Sequence, residues 1–395
     1  RSGYHSCTMP PAPRTAPALD EIQLSVYSAL AARAARSAQE RGGEVFPFHV
    51  GDTWMEPAAG CRMEDLTIAQ YPGMHRYTPP QGWPPLIDAI VERTIAAQGI
   101  ATERDQVLVT GGATLGLGAV VGALVEPGEE VLIAAPYWPL IAGIVRTFHG
   151  APVAVPFYGA VDSAADAVAA LEAACTRRTV AVYWNTPNNP TGLKVPDDWL
   201  AAMVEWARRR SLWIVADEVY EECSYQGRHT PTRPLAPERT FSCHSFSKAF
   251  GMAGNRAGYV VGPTEPMAAL RKIGTHTVYS TPTASQIAGA RALAGPGLEW
   301  AAQARELYRE IGTWAANRLG LAAPQGATFL FLDLSRQLDE GGLPRFLERA
   351  ADHGVLLAPG PSFGPYPNHA RLCFTATPPE VTRRGVEALA GLLRR

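Results

Sequence analysis

Residues 107–136 read VLVTGGATLGLGAVVGALVEPGEEVLIAAP, and their reading decides the fold. Two short apolar runs rich in β-branched residues, VLVT (107–110) and EVLIAAP (130–136), flank a stretch of small and apolar residues with helical spacing over 114–125. The alternation continues outward. Apolar runs recur at APVAVPF (151–157), TVAVYWN (179–185), LWIVAD (212–217), TFSCHSFS (240–247) and AGYVVG (257–262), with helical stretches between most of them, as at 164–174 and 197–209. Strands that are apolar throughout and separated by helices belong to a mostly parallel sheet covered on both faces. The expected fold class is therefore α/β, with a seven-stranded sheet sandwiched by helices over 46–280. After about 280 the pattern changes. A long helical region to about 319, the strands TFLFLDL (328–334) and RLCFT (371–375), and a terminal helix describe a smaller α+β unit over 281–395. Residues 1–45 read as an N-terminal arm that joins the smaller unit. It consists of a Pro-rich start with little fixed structure (1–18) and an Ala-rich helix from Asp20 to Arg41.

Composition narrows the function classes. With 395 residues the chain has length for two or three domains at roughly 150 residues each. Its 35 basic and 37 acidic side chains leave a net charge of −2, so no basic excess points to nucleic acid or to a membrane surface. The apolar runs fall far short of the ~18 residues a membrane span needs, and no signal-peptide core is present. Six cysteines without paired spacing argue against a disulfide framework or a zinc module, and for a reducing, cytoplasmic setting. There are 32 arginines but only three lysines, Lys194, Lys248 and Lys272. Chemistry that requires an amine thus has three candidates.

Of these, Lys248 lies in Ser245-Phe246-Ser247-Lys248, just past an expected strand, with Gly251 and Arg256 following. In α/β sheets ligands gather at the C-terminal ends of strands, and a partly buried lysine near a second cation is a Schiff-base former. Taken alone, so short a motif reads better as a surface lysine in a Ser-rich loop. Other strand exits carry their own signals. Asp217 ends LWIVAD and is followed by Glu218-Val219-Tyr220; a carboxylate there needs a cation or serves as a helix cap. Asn188-Asn189-Pro190-Thr191-Gly192 follows TVAVYWN, and Gly111-Gly112-Ala113-Thr114 opens a helix whose first amides suit a phosphate.

In this order, GGAT, PYW (136–138), NNPTG, DEVY, SFSK, an arginine eight residues after the lysine, and a late Arg371 resemble the class I/II aminotransferases, fold-type-I enzymes dependent on pyridoxal 5'-phosphate (PLP). The resemblance spans about 45–375. It implies that Lys248 holds PLP as a Schiff base and then acts as general base at the substrate Cα. It implies that Asp217 keeps the pyridine nitrogen protonated, and that Tyr220 and Asn189 bond the phenolic oxygen. Trp138 stacks on the ring, although a core indole is an equal reading of that residue. The resemblance further implies that the phosphate takes the amides of Ala113 and Thr114 with Ser245 and Arg256, and that Arg371 binds the substrate carboxylate beside Gly51. It also implies a homodimer with shared sites, in which Tyr77 reaches the neighbouring subunit's phosphate and the segment Tyr279-Ser280-Thr281-Pro282 crosses over.

The reaction is read less directly. Relatives that act on dicarboxylates carry an arginine where this chain has His276, so a non-acidic amino acid is expected. His276, Asp52 and Trp54 are candidates for contact with its side chain. Transamination is the leading reaction. The alternative is elimination, replacement or cyclisation on the same residues, resembling aminocyclopropane-carboxylate synthase. A catalytically silent regulator domain lacks support, because no basic DNA-binding module precedes the match. Gly116, Gly118 and Gly122 imitate a dinucleotide fingerprint, but the next strand ends in Ala134-Ala135-Pro136 without the ribose-binding acid, so they are expected in helix–sheet packing.

Overall fold

The computed structural model of the chain describes Pro17, Asp20, Ile22 and residues 27–394. Apart from Pro17, the Pro-rich start lies outside the described residues. The first helix, α1, is described over Tyr27–Arg41; Glu21 and residues 23–26 of the expected Asp20–Arg41 helix lie outside the described residues. The Asp20 amide bonds to the Pro17 carbonyl (3.1 Å), closing a turn where the helix was expected to start. Helix α2 (Pro84–Gln98) opens on proline and ends at Gly99, whose φ of +69° suits the left-handed cap.

All seven expected strands of the large sheet are present, as β1 (Val107–Thr110), β2 (Glu130–Ala135), β3 (Ala151–Pro156), β4 (Thr179–Asn185), β5 (Trp213–Asp217), β6 (Thr240–Ser245) and β7 (Gly258–Val261). Between them lie α3 (Ala113–Leu124), α4 (Pro139–Thr147), α5 (Ala164–Ala174), α6 (Asp197–Arg209) and the one-turn α7 (Phe246–Ala249). The strand order is β1-β7-β6-β5-β4-β2-β3. Only β7 is antiparallel to its neighbours, so the C-terminal ends of the other six open on one edge. Alternate residues of β4 explain its continuous apolar reading. Ala181 and Tyr183 pack with α3, α4 and Val215, whereas Val182 and Trp184 pack with α5 and α6 on the other face.

The remaining elements are α8 (Thr264–Thr277), α9 (Thr283–Ala292), α10 (Gly295–Leu319), β8 (Phe329–Asp333), α11 (Gly342–Asp352), β9 (Ala358–Pro359), β10 (His369–Cys373) and α12 (Pro379–Leu393). A second, antiparallel sheet of order β8-β10-β9 packs with α10, α11 and α12 around Phe46, Phe48, Tyr308, Phe329 and Leu372. Strand β10 starts two residues before the expected RLCFT. Strand β9, two residues long, has no pattern for a sequence to display. Helix α1 is tied to α11 by Arg33, which grips both oxygens of Asp352 (2.7 and 2.8 Å).

The decoy glycines need one correction. A Cβ on Gly116 would lie 2.8 Å from Val260 of β7, which is helix–sheet packing, but Gly118 and Gly122 face Phe148 beyond α4 instead. No helix among the described residues is long and apolar enough to cross a membrane. Gly385 in α12 sits where a Cβ would come within 2.5 Å of Phe48 and 2.6 Å of Phe46. Helix propensity favours Gly385→Ala by about 1 kcal/mol. Overpacking against two buried rings costs about 1–3 kcal/mol, so the variant is expected to melt at a lower temperature than the parent in a calorimetric scan; an unchanged or higher midpoint would contradict this packing.

Candidate active site

Because six strands end on one edge, the residues that leave them converge there. A cavity of about 610 Å³ is lined by Ala113 and Thr114 after β1, Trp138 after β2, Asn185 at the end of β4 and Asn189 after it, Asp217 at the end of β5 and Tyr220 after it, Ser245 at the end of β6 and Lys248 after it, and Arg256 before β7. The second sheet closes it with Arg371 of β10 and with Phe363; the segment after Phe48 adds His49 and Gly51.

Its phosphate-sized end is made by local backbone rules. The first amides of a helix have no acceptor within the helix, and α3 presents those of Ala113 and Thr114 at the end of β1. Gly112 precedes them at φ +83°, and a Cβ there would lie 2.7 Å from Nη2 of Arg256. Glycine is therefore required both for the turn and for the guanidinium that lies over it. Arg256 is itself in the left-handed region (φ +51°) and donates to the Ala253 carbonyl (2.8 Å). Gly258 has no room for a side chain beside the Ala113 amide (2.8 Å), which brings β7 against the start of α3. Ser245 accepts the Ser247 amide (3.1 Å) and so starts α7, the turn that carries Lys248. These groups form an anion cradle.

At the other end lies a carboxylate that burial disfavours. Asp217 is 3% exposed; its Oδ2 accepts the Tyr183 hydroxyl (2.7 Å) and its Oδ1 the Val219 amide (3.3 Å). Burial pushes this carboxyl up to about 6, with Glu218 adding to the rise, against the hydrogen bonds of Tyr183 and Val219 and the charge of His244. A carboxylate held in that way and facing a cavity suits a cation delivered from the cavity side. Behind it, Glu218 is fully buried. Burial alone would raise it, but His229, His244 and the Thr232 amide outweigh that and hold it below the usual carboxylate range.

Lys248, about one-fifth exposed, donates to the Gly51 carbonyl and lies 3.6 Å from Asp52. Arg371 donates to Asn189 Oδ1 (2.9 Å) and to the His49 carbonyl (2.8 Å), and its guanidinium lies between the rings of Phe329 (4.3 Å) and Phe363 (4.9 Å). Asn189 is placed by Asn185, whose Oδ1 accepts the Asn189 amide (2.7 Å). Tyr220 is buried edge-on against Phe329. The lysine, the buried acid, the anion cradle and a clamped arginine thus surround one space. A phosphorylated pyridine aldehyde fits this set at three separate points: anion cradle, buried acid and primary amine.

Three expected site residues lie elsewhere. Tyr77, 84% exposed, packs edge-on against Tyr279 (5.0 Å) outside the cavity. His276 is exposed near the end of α8, and Trp54, 39% exposed, donates its amide to the Thr375 carbonyl (3.0 Å); neither lines the cavity. Sequence reading also missed residues. Tyr183, Asn185 and Phe329 read there as ordinary strand residues, and Arg146 was one among 32 arginines.

Residues 52–389 match the family "Aminotransferase class I and II". The probable aspartate/prephenate aminotransferase of Thermus aquaticus is 33% identical over 82% of this chain and 85% of its own length. The arginine–pyruvate transaminase of Pseudomonas aeruginosa is 32% identical over 82% of this chain and 84% of its own. A tetra mutant of Thermus thermophilus aspartate aminotransferase, complexed with tryptophan, superposes with a TM-score of 0.87 at 29% identity, over 96% of this chain and 100% of that one. The chain therefore belongs to the class I and II aminotransferases and is a PLP-dependent enzyme of fold type I.

Proposed function

We propose that the chain transfers the amino group of a non-acidic L-amino acid, with Lys248 as the residue that carries PLP. The observation that supports this best is the meeting of Lys248, Asp217 and Arg371 in one cavity, each with its own anchoring contacts. In this reading Ala113, Thr114, Ser245 and Arg256 hold the phosphate, Asp217 holds the ring nitrogen, Asn189 and Tyr220 hold the phenolic oxygen, and Trp138 covers the ring. When bound, PLP supplies an electron sink for negative charge at the substrate Cα. Arg371, steered by Asn189 and His49, binds the substrate carboxylate as a planar fork. Lys248 takes the proton from Cα as general base; in the cofactor-free chain the Gly51 carbonyl and Asp52 hold its amino group. Leu117, Tyr137, Leu140 and Phe363 make the outer wall largely apolar, which suits a substrate without a distal carboxylate.

One observation favours a second reading. Arg146 of α4 also lines the cavity, and a guanidinium there suits an acidic side chain such as the names of the Thermus relatives imply. The reading further includes a cytoplasmic homodimer, with a cofactor-holding unit over 46–280 and a smaller unit over 281–395 joined by the arm 1–45. Tyr77 and Tyr279, exposed side by side, support a crossing contact to a second copy.

Three outcomes test this. Lys248→Ala is expected to lose the borohydride-reducible cofactor linkage that the parent forms; a linkage that survives would remove Lys248 from the role. When the PLP-loaded chain is mixed with single amino acids and no acceptor, a basic, aromatic, aliphatic or thioether donor is expected to give one equivalent of pyridoxamine phosphate and of keto acid, with aspartate and glutamate inert. Conversion by aspartate or glutamate that Arg146→Gln abolishes would establish the second reading instead, and product released over many turnovers would replace transamination by elimination, replacement or cyclisation. The third concerns Asp217. Its carboxyl, raised to about 6 by burial in the cofactor-free fold, contributes stability below the unfolded value of roughly 3.9; that contribution is lost as pH rises through about 6. Cofactor-free Asp217→Asn should therefore melt above the parent at pH 7.5 and close to it at pH 4, while binding the cofactor more weakly; equal melting at pH 7.5 would show that the carboxylate is not strained.

A further inference from the structure

Tyr183 belongs to no motif and lies inside β4, where the strand's apolar reading makes it a core residue. Its side chain is fully buried, and the Asp217 carboxylate is the partner its hydroxyl finds. Register explains the reach. Tyr183 pairs with Val215 and Asn185 with Asp217 across parallel β4 and β5, so Tyr183 and Asp217 share one face of the sheet on a diagonal. The long phenol spans that diagonal and delivers a proton donor to Oδ2 from beneath the cavity floor, at 2.7 Å. Burial, together with the neighbouring Asp217 charge, raises the phenol well above its ordinary value, so it donates at every working pH.

We infer that Tyr183 is a positioning residue for cofactor capture: its hydroxyl fixes the Asp217 carboxylate so that its remaining acceptor capacity faces the ring nitrogen. This rests on the reading of Asp217 given above. A carboxylate at the end of a buried strand turns about its side-chain torsions unless its oxygens are held. The Val219 amide holds Oδ1 only loosely, at 3.3 Å, which leaves the Tyr183 bond as the shorter restraint. Charge-assisted hydrogen bonds of this kind are also the strong ones. The other titratable groups around the carboxylate are Tyr158 after β3, Glu218 and Tyr220 next in the chain, and Cys243 and His244 of β6. Among the described residues, none of these hydrogen-bonds to it.

The test uses pyridoxamine 5'-phosphate, which has the ring nitrogen and phosphate but no aldehyde, so its affinity is independent of linkage to Lys248. Its dissociation constant is measured by fluorescence titration of the cofactor-free chain for the parent, Tyr183→Phe, Asp217→Asn and the double variant. A bond to a charged group contributes about 1.5–3 kcal/mol, so Tyr183→Phe should weaken binding by about tenfold or more. In the Asp217→Asn background the same change should alter it less than about twofold. A full loss in both backgrounds means a merely structural tyrosine and overturns the inference, as does an unchanged constant in Tyr183→Phe while Asp217→Asn binds weakly. If Asp217→Asn binds as the parent does, the assignment of Asp217 falls, and the role of Tyr183 with it. Should Tyr183→Phe not fold, difluorotyrosine incorporated at 183 keeps the hydroxyl and sharpens its acidity. The pH at which binding is lost should then move down, and a fixed midpoint overturns the inference.

Discussion

The site depends on one constraint: a carboxylate must stay at the end of a strand buried on both faces. Asp217 meets it because several separate partners act together. Tyr183 donates from β4, the Val219 amide donates from the turn that follows, and His244 on β6 supplies a nearby positive charge. His244 is itself held by Glu221 (3.1 Å), which also faces Arg93 of α2 (3.3 Å), while burial and the Glu221 charge pull its basicity in opposite directions and the charge prevails. Charges of alternating sign therefore continue from the cavity floor into the protein. An isolated carboxylate at that depth would simply take up a proton; Tyr183, Val219 and His244 hold its rise to about 6, so it suits a cation from the cavity side.

The second dependence is on the docking of the two sheets. Arg371 belongs to β10 yet takes its orientation from Asn189 after β4 and from the His49 carbonyl, and the Tyr137 amide bonds to the Phe363 carbonyl (3.0 Å). Phe329 serves both sides at once, with Tyr220 edge-on and the Arg371 guanidinium over its face. Packing of the smaller sheet thus sets the direction of the Arg371 guanidinium in the cavity. That is why Gly385, far from any reacting atom, matters to the segment 46–51: its missing side chain lets Phe46 and Phe48 settle against α12 just before His49 and Gly51 line the cavity.

How much of this is legible in the sequence follows from range. Strand exits are local events, so GGAT, NNPTG, Asp217 and SFSK stand out from spacing and turn chemistry, and the parallel sheet brings them to one edge without further instruction. The same locality explains the errors. Asp20 closes a turn on Pro17 instead of opening a helix there, and two-residue β9 exists only because β10 pairs with it. Tyr183 is invisible for a different reason. A tyrosine in an apolar run reads as core, and only the diagonal register between two parallel strands, fixed by tertiary structure, turns its hydroxyl to Asp217.

The same distinction separates reaction from substrate. In the proposed reading, the groups that act on the α-amino and α-carboxylate ends of an amino acid sit on strand ends and on β10, where local sequence identifies them. The rest of the cavity lining comes from Leu117 of α3, Leu140 and Arg146 of α4, Ile22 near the chain start, and Pro361, Ser362 and Phe363 beyond β9. No spacing joins those positions. Each is an ordinary helix or loop residue until the fold assembles them. The sequence singles out the histidine on α8 and passes over the arginine on α4, yet of the two only Arg146 lines the cavity. Specificity in this chain is therefore a property of tertiary placement, while the chemistry is a property of strand ends.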